Sequence, residues 1–154
     1  PKMEWATIAL KPLLEEIAQR MKQAYGTHVN ITGDNLSIVS DEVKLKQLLF
    51  IFLDNAKKYS EQPIDVEIVN GAVVQIRITD YGVGIPQDDL PHLFDRFYRV
   101  DKARNRQTGG TGLGLSIAKQ LAQLLTIKID ITSTVGVGTT VTLSFRERGV
   151  GDET

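Results

Sequence analysis

The chain has 154 residues, 42% of them hydrophobic, which is enough for one domain with a core of its own and no composition shift that argues for two. Its 18 basic residues stand against 19 acidic ones, a balance that leaves no global positive field to hold nucleic acid or an anionic membrane. Cysteine is absent, which excludes disulfides and thiolate metal sites, and no apolar run reaches transmembrane length.

In chain order, Leu10, Leu13, Leu14, Ile17, Met21 and Tyr25 recur at helical spacing, and Gly26 supplies a stop. Val29 and Ile31 then alternate with polar neighbours, Gly33–Asn35 turns the chain, and Leu36 and Ile38 resume, which predicts two short strands. A second helix is predicted from Asp41, an N-cap candidate, to Tyr59, with the stripe Leu45, Leu48, Leu49, Phe52, Leu53 and Ala56. Ile64, Val66 and Ile68, the turn Asn70-Gly71, and Val74, Ile76 and Ile78 make the clearest hairpin. Residues 80–111 are rich in glycine, charge and aromatics, with one short helical piece expected near 88–97. A third helix is expected over 112–125. Two strands, through Ile127, Ile129 and Ile131 and through Thr139, Val141, Leu143 and Phe145, close the domain. The pattern predicts an α+β, two-layer sandwich over 1–148, with a mixed, mostly antiparallel sheet and three helices on one face. A disordered tail is expected at 149–154. The long connection without regular structure is the expected seat of function.

Four stretches could carry chemistry. In "DNAKKYSE", Asn55, Lys58 and Tyr59 fall at i, i+3 and i+4, on one side of the helix and bordering its apolar stripe. They either form a polar helix end that reaches water or gather at a site, where the Asn55 oxygen could serve a hard cation such as Mg²⁺. In "ITDYGVGIP", strict alternation aims Asp80 toward the core, where a carboxylate must be neutralised or hydrogen-bonded. Gly82 and Gly84 remove side chains where something could approach the backbone, although Asp80 could equally cap a glycine-rich turn. "TGGTGLGLSIAKQLAQLL" leads four glycines into an amphipathic helix. That is a natural phosphate seat or a plain hinge, and it is neither a Walker A loop nor a dinucleotide fingerprint. Between them, "LPHLFDRFYRVDKARNRQ" offers Phe94 and Phe97 as anchors of a short helix. Arg96, Arg99, Lys102, Arg104 and Arg106 crowd the loop that follows, as a solvated basic segment or as a mobile anion-binding lid. "GVGTT" at 136–140 is most simply a turn.

Taken in order, these segments resemble the ATP-binding domain of bacterial sensor histidine kinases, of the ATPase superfamily shared with DNA gyrase, a cytosolic chaperone and a mismatch-repair protein and often called the Bergerat fold. "LDNAKKYS" looks like the N box, "DYGVGIP" the G1 box, "FDRFYRVDKAR" the F box, "GGTGLGL" the G2 box and "GVGTT" the last glycine box. The likeness spans the chain from the first helix to Phe145. It implies ATP and Mg²⁺ as cofactors, with Asn55 on the metal, Lys58 and Arg99 at the phosphates, Tyr59 near the adenine, and Asp80 accepting from the adenine amino group. Gly82, Gly84 and Ile85 would wall the base. A mobile lid over about 88–111, bearing Lys102, would close through the backbone of Gly110, Thr111, Gly112, Leu113 and Gly114, and Thr139 of the last glycine box would join the nucleotide site.

Relatives often carry Asn, Glu or His four positions before the N-box asparagine, where this chain has Ile51, and often His-Gly-Gly where it has "LLT" at 124–126. The family's phosphoacceptor is a histidine followed by an acidic residue on a separate dimerising hairpin. His28 precedes Val29 and His92 precedes Leu93, so neither fits. The resemblance therefore implies a protein-histidine kinase domain that donates the γ-phosphoryl group to a separate dimerisation and phosphoacceptor domain, and through it to a response regulator. It would work in the cytoplasm with no direct membrane contact, the full-length protein being anchored in the bacterial inner membrane. The rival readings are an ATP-responsive interaction module that does not transfer phosphate, and an ATP-gated clamp.

Overall fold

The structure, a computed structural model, describes residues 2–98 and 114–146. Strand β1 (Trp5–Ala9) leads into helix α1 (Leu10–Tyr25), followed by β2 (Val29–Gly33), β3 (Ser37–Asp41) and helix α2 (Glu42–Lys58). The hairpin of β4 (Ile64–Asn70) and β5 (Val74–Asp80) comes next, then a single 3-10 turn at Leu90–His92. Helix α3 (Gly114–Leu125) and the hairpin of β6 (Ile127–Thr134) and β7 (Gly138–Phe145) complete the described chain.

Five strands form one sheet in the order β2-β4-β5-β7-β6. All its pairings are antiparallel except β2 with β4. The three helices pack on one face through a single core, in which the expected stripes of α1 and α2 meet Ile64, Val66, Ile68, Ile76, Ile78, Val141 and Leu143. Tyr25 departs from its stripe. It is 46% exposed and carries the Lys57 ammonium 4.1 Å above its ring. The other face of the sheet is ranked with polar side chains, such as Glu67, Arg77, Thr142 and Asp130 across four strands. No described element covers it.

Both short strands expected here are present, and a further strand, β1, precedes them. β2 and β3 do not pair with each other; β3 pairs antiparallel with β1, from Trp5 opposite Asp41 to Ala9 opposite Ser37, as a separate two-stranded ribbon. "WATIA" shows no alternation to announce a strand, and its partner lies some thirty residues on. The turn at Gly33–Asn35 instead caps α1. Leu36 carbonyl accepts from Leu10 N–H at 2.9 Å and the Asn35 side chain from Lys11 N–H at 3.2 Å, serving amides that Ala9 cannot cap. Asp41 caps α2 as expected, accepting from Lys44 N–H at 3.1 Å, and also pins the N-terminal segment by accepting from Glu4 N–H at 2.9 Å. Burial pushes its carboxyl up, but those amides and the Lys44 ammonium reverse this and hold it below the usual range.

Thr126, the last residue of "LLT", follows α3 in the left-handed region at φ 56. That is the helix-ending position glycine favours and a β-branched residue adopts only under strain. Relieving the strain should make Thr126→Gly more stable by about 1 kcal/mol, read as a rise in Tm of about 2–4 °C; an unchanged or lower Tm would show that no strain resides there.

Candidate functional site

Asp80 ends β5 on the face that carries Ile76 and Ile78 and is 8% exposed. Gly82 N–H donates to its Oδ1 at 3.0 Å, and the Thr139 backbone amide donates as well. Burial lifts its carboxyl above the ordinary range, and these two amides only partly offset that. An ionised carboxylate accepts about four hydrogen bonds, so capacity remains for a donor.

The segment after Asp80 is wedged between two parts of the chain. A Cβ on Gly82 would stand 1.9 Å from the Tyr59 carbonyl oxygen at the end of α2, and one on Gly84, at φ 77, would stand 2.3 Å from the Thr134 carbonyl oxygen. From the opposite side, a Cβ on Gly138 would stand 2.1 Å from the Asp80 carbonyl oxygen. Val83 N–H donates to Tyr59 carbonyl at 3.3 Å and Gly136 N–H to Val83 carbonyl at 2.8 Å. What approaches these glycines closely is thus the protein's own backbone, and "GVGTT" is a wall of the Asp80 loop as well as a turn. Ile85 N–H donates to Ser133 Oγ at 2.7 Å, and Thr139 Oγ1 lies 2.7 Å from the same atom. No motif in the sequence marks Ser133. It stands at a buried position of β6, and only the register that sets it opposite Thr139 reveals its place.

On α2, Asn55 and Lys58 are half-buried, and so is Tyr59, which ends the helix. Lys58 Nζ pairs with Asp54 Oδ2 at 3.3 Å. Gly114 opens α3 against the same helix: its Cβ would lie 3.9 Å from the Ile51 side chain. Ile51 and Tyr59 are eight residues apart, about 12 Å along the axis, so the Asp80 loop and the start of α3 bracket the segment bearing Asn55. A cleft of about 510 Å³ between α1 and α2, lined by Ile17, Tyr25, Phe50 and Ile51 among others, includes no residue of the Asp80 loop.

Over residues 86–98 the chain forms turns, and the short helical piece expected near 88–97 is the single 3-10 turn Leu90–His92. Leu93 is buried and Phe94 half-buried against the core, whereas Phe97 is 63% exposed at φ 67 with the Arg96 guanidinium 5.4 Å from its ring. Phe94 therefore anchors this segment and Phe97 does not. His92 Nδ1 meets Asp95 Oδ2 at 3.1 Å and its ring stacks on Tyr98, whose hydroxyl donates to Asp89. The expected lid over 88–111 is described only as far as Tyr98. Arg99, Lys102, Gly110, Thr111, Gly112 and Leu113, and the tail 149–154, lie outside the described residues.

Among the described residues no group of three or more His, Cys, Asp or Glu could hold a metal. Asn55, half-buried on α2, offers an amide oxygen of the kind Mg²⁺ accepts. Also among the described residues, no helix is long and apolar enough to cross a membrane.

A family model described as histidine kinase-, DNA gyrase B-, and HSP90-like ATPase matches residues 40–149. The chain belongs to that family and is an ATP-binding domain. It is 44% identical, over 97% of its length, to the sensor histidine kinase YkoH of Bacillus subtilis, and 42% identical over 79% to the histidine-protein kinase ArlS of Staphylococcus aureus. It spans 34% and 28% of those two relatives. The fold is shared with the mycobacterial sensor histidine kinase MprB, at a TM-score of 0.79 and 21% identity over 92% of this chain and 97% of that one. It is also shared with full-length ShkA in complex with AMPPNP, at a TM-score of 0.78 and 24% identity over 94% of this chain and 31% of that one.

Because a methyl group at Gly82 has nowhere to go but the Tyr59 carbonyl, Gly82→Ala should destabilise the fold by about 1–3 kcal/mol in urea unfolding, and a normal midpoint would refute the wedge. Asp80 behaves oppositely. Its folded-state carboxyl is raised, so its contribution to stability is present at low pH and is lost as pH rises from the unfolded value through the folded one. At neutral pH, Asp80→Asn should melt no lower than the parent. A clear loss of Tm there, or a stability that rises with pH through this group's titration, would contradict the assignment.

Proposed function

We propose that the chain is the catalytic domain of a sensor histidine kinase, which binds ATP with Mg²⁺ and presents the γ-phosphoryl group to a histidine on a separate dimerising phosphoacceptor domain that then serves a response regulator. The observation that carries this reading is Asp80, a buried carboxylate with acceptor capacity to spare beside the helix end that bears Asn55, Lys58 and Tyr59. Supporting it, the chain's relatives YkoH and ArlS are named as histidine kinases and ShkA was solved with AMPPNP.

In this reading Asp80 accepts from the adenine amino group while Gly82, Gly84 and Ile85 wall the base, with Tyr59 and Thr139 at its borders. Asn55 holds Mg²⁺ against the phosphates. Lys58 exchanges part of its pairing with Asp54 for phosphate oxygens, and Arg99 and Lys102 supply further positive charge. The amides of 110–114, ending at the N-terminus of α3, complete the anion seat. Bound ATP supplies the transferable phosphoryl group and Mg²⁺ neutralises its oxygens; the protein's own work is to position them and exclude water. The domain would act in the cytoplasm, within a kinase anchored in the bacterial inner membrane.

Ile51 favours a second reading. It places an apolar, half-buried side chain where a polar group could assist the metal or a proton transfer, and so suits a module that binds ATP without passing it on. Calorimetry with ATP, with and without Mg²⁺, followed by labelled ATP and a supplied acceptor domain, separates the two. Kinase function predicts Mg²⁺-strengthened binding that Asn55→Ala loses by about tenfold or more, as expected for one charge-assisted contact, and label on the acceptor histidine. Binding without label would favour the second reading, and no binding would overturn both.

A further inference from the structure

Ser133 lies on β6, 9% exposed, with Thr139 as its register partner. Its hydroxyl uses its whole capacity of one donor and two acceptors. It donates to Gly138 carbonyl at 3.0 Å, accepts from Ile85 N–H at 2.7 Å, and, its own proton being committed, accepts the Thr139 hydroxyl at 2.7 Å. Its carbonyl accepts from the Gln87 side-chain amide at 2.9 Å. A hydroxyl buried on a strand costs free energy unless hydrogen-bonded, and here every bond it makes reaches a different part of the Asp80 loop or its wall.

The consequence lies at Asp80. The Thr139 amide is one of its two backbone donors, and Thr139 is itself held by Ser133 through its hydroxyl and through the neighbouring Gly138 carbonyl. Ile85, on the far side of the loop, is held by the same oxygen. We propose that Ser133 is a positioning residue for purine recognition: it sets the spacing between the Asp80 acceptor and Ile85, and thereby the preference for a 6-amino over a 6-oxo purine. It touches no nucleotide and acts only through Ile85, Gly138 and Thr139. The inference rests on the proposed assignment of Asp80 to the adenine amino group.

The test is calorimetric binding of ATP and of inosine triphosphate to the parent chain, Asp80→Asn, Ser133→Ala and Ser133→Thr. The parent should prefer ATP, and Asp80→Asn should erase the preference; a preference that survives Asp80→Asn removes the Asp80 assignment and this inference with it. Where the Asp80 arm behaves as expected, Ser133→Ala should weaken ATP by about tenfold at most, the worth of the adenine–Asp80 bond that it positions, and should lower the ATP-to-inosine-triphosphate ratio. Ser133→Thr, which keeps the hydroxyl, should restore the ratio. A merely structural role would lower stability and leave the ratio unmoved, so a normal ratio in Ser133→Ala overturns the proposal while leaving Asp80 in place. Should Ser133→Ala not fold, amide exchange in the parent decides: Ile85 N–H should be protected and slow further with ATP, and rapid exchange at Ile85 would overturn the proposal.

Discussion

A carboxylate can be kept in the interior only where it is paired or hydrogen-bonded, and at Asp80 the donors are amides that reach it because the chain around it is stripped of side chains. Gly82 lets the loop touch the end of α2, Gly84 lets it touch the end of β6, and Gly138 lets β7 start against the Asp80 carbonyl. Each contact is backbone against backbone at distances no Cβ would survive. The packing that surrounds Asp80 and the freedom of those glycines are therefore one constraint, and the loop cannot be loosened without exposing or abandoning the charge.

Helix α2 carries this constraint to the rest of the domain. Its N-terminus is fixed by Asp41, which also ties down the N-terminal segment. Its stripe fills the centre of the core, its last turn receives the Asp80 loop, and its middle receives the start of α3. Asn55 and Lys58 thus sit between two glycine-bearing segments that approach the same helix from different parts of the sequence. The sheet's outer face contributes nothing comparable, being ranked with threonine and charged side chains that water can serve.

Two features run against the fold's own stability and mark different things. The raised carboxyl of Asp80 reflects burial that two amides only partly offset, a kind of local cost that concentrates at functional sites. The left-handed Thr126 lies at a helix end away from the site, and no described contact depends on its side chain. Strain alone would not distinguish them. The burial and convergent amides at Asp80 do.

Much of this was legible in the sequence because it depends on short-range pattern. The stripes of α1 and α2 and the inward aim of Asp80 follow from periods of 3.6 and 2, and the hairpin around Asn70-Gly71 and the cap at Asp41 from local turn and cap chemistry. The ordered glycine motifs also sufficed to place the chain in its family. What the sequence could not settle were matters of long-range pairing: that "WATIA" is a strand, that β2 and β3 part into different sheets, that the glycines meet backbone, and that Ser133 joins three segments. Periodicity says which way a side chain faces, but not which distant strand lies opposite it. That is decided only when the sheet assembles, because register, a property of two segments, sets the neighbours of every residue along both.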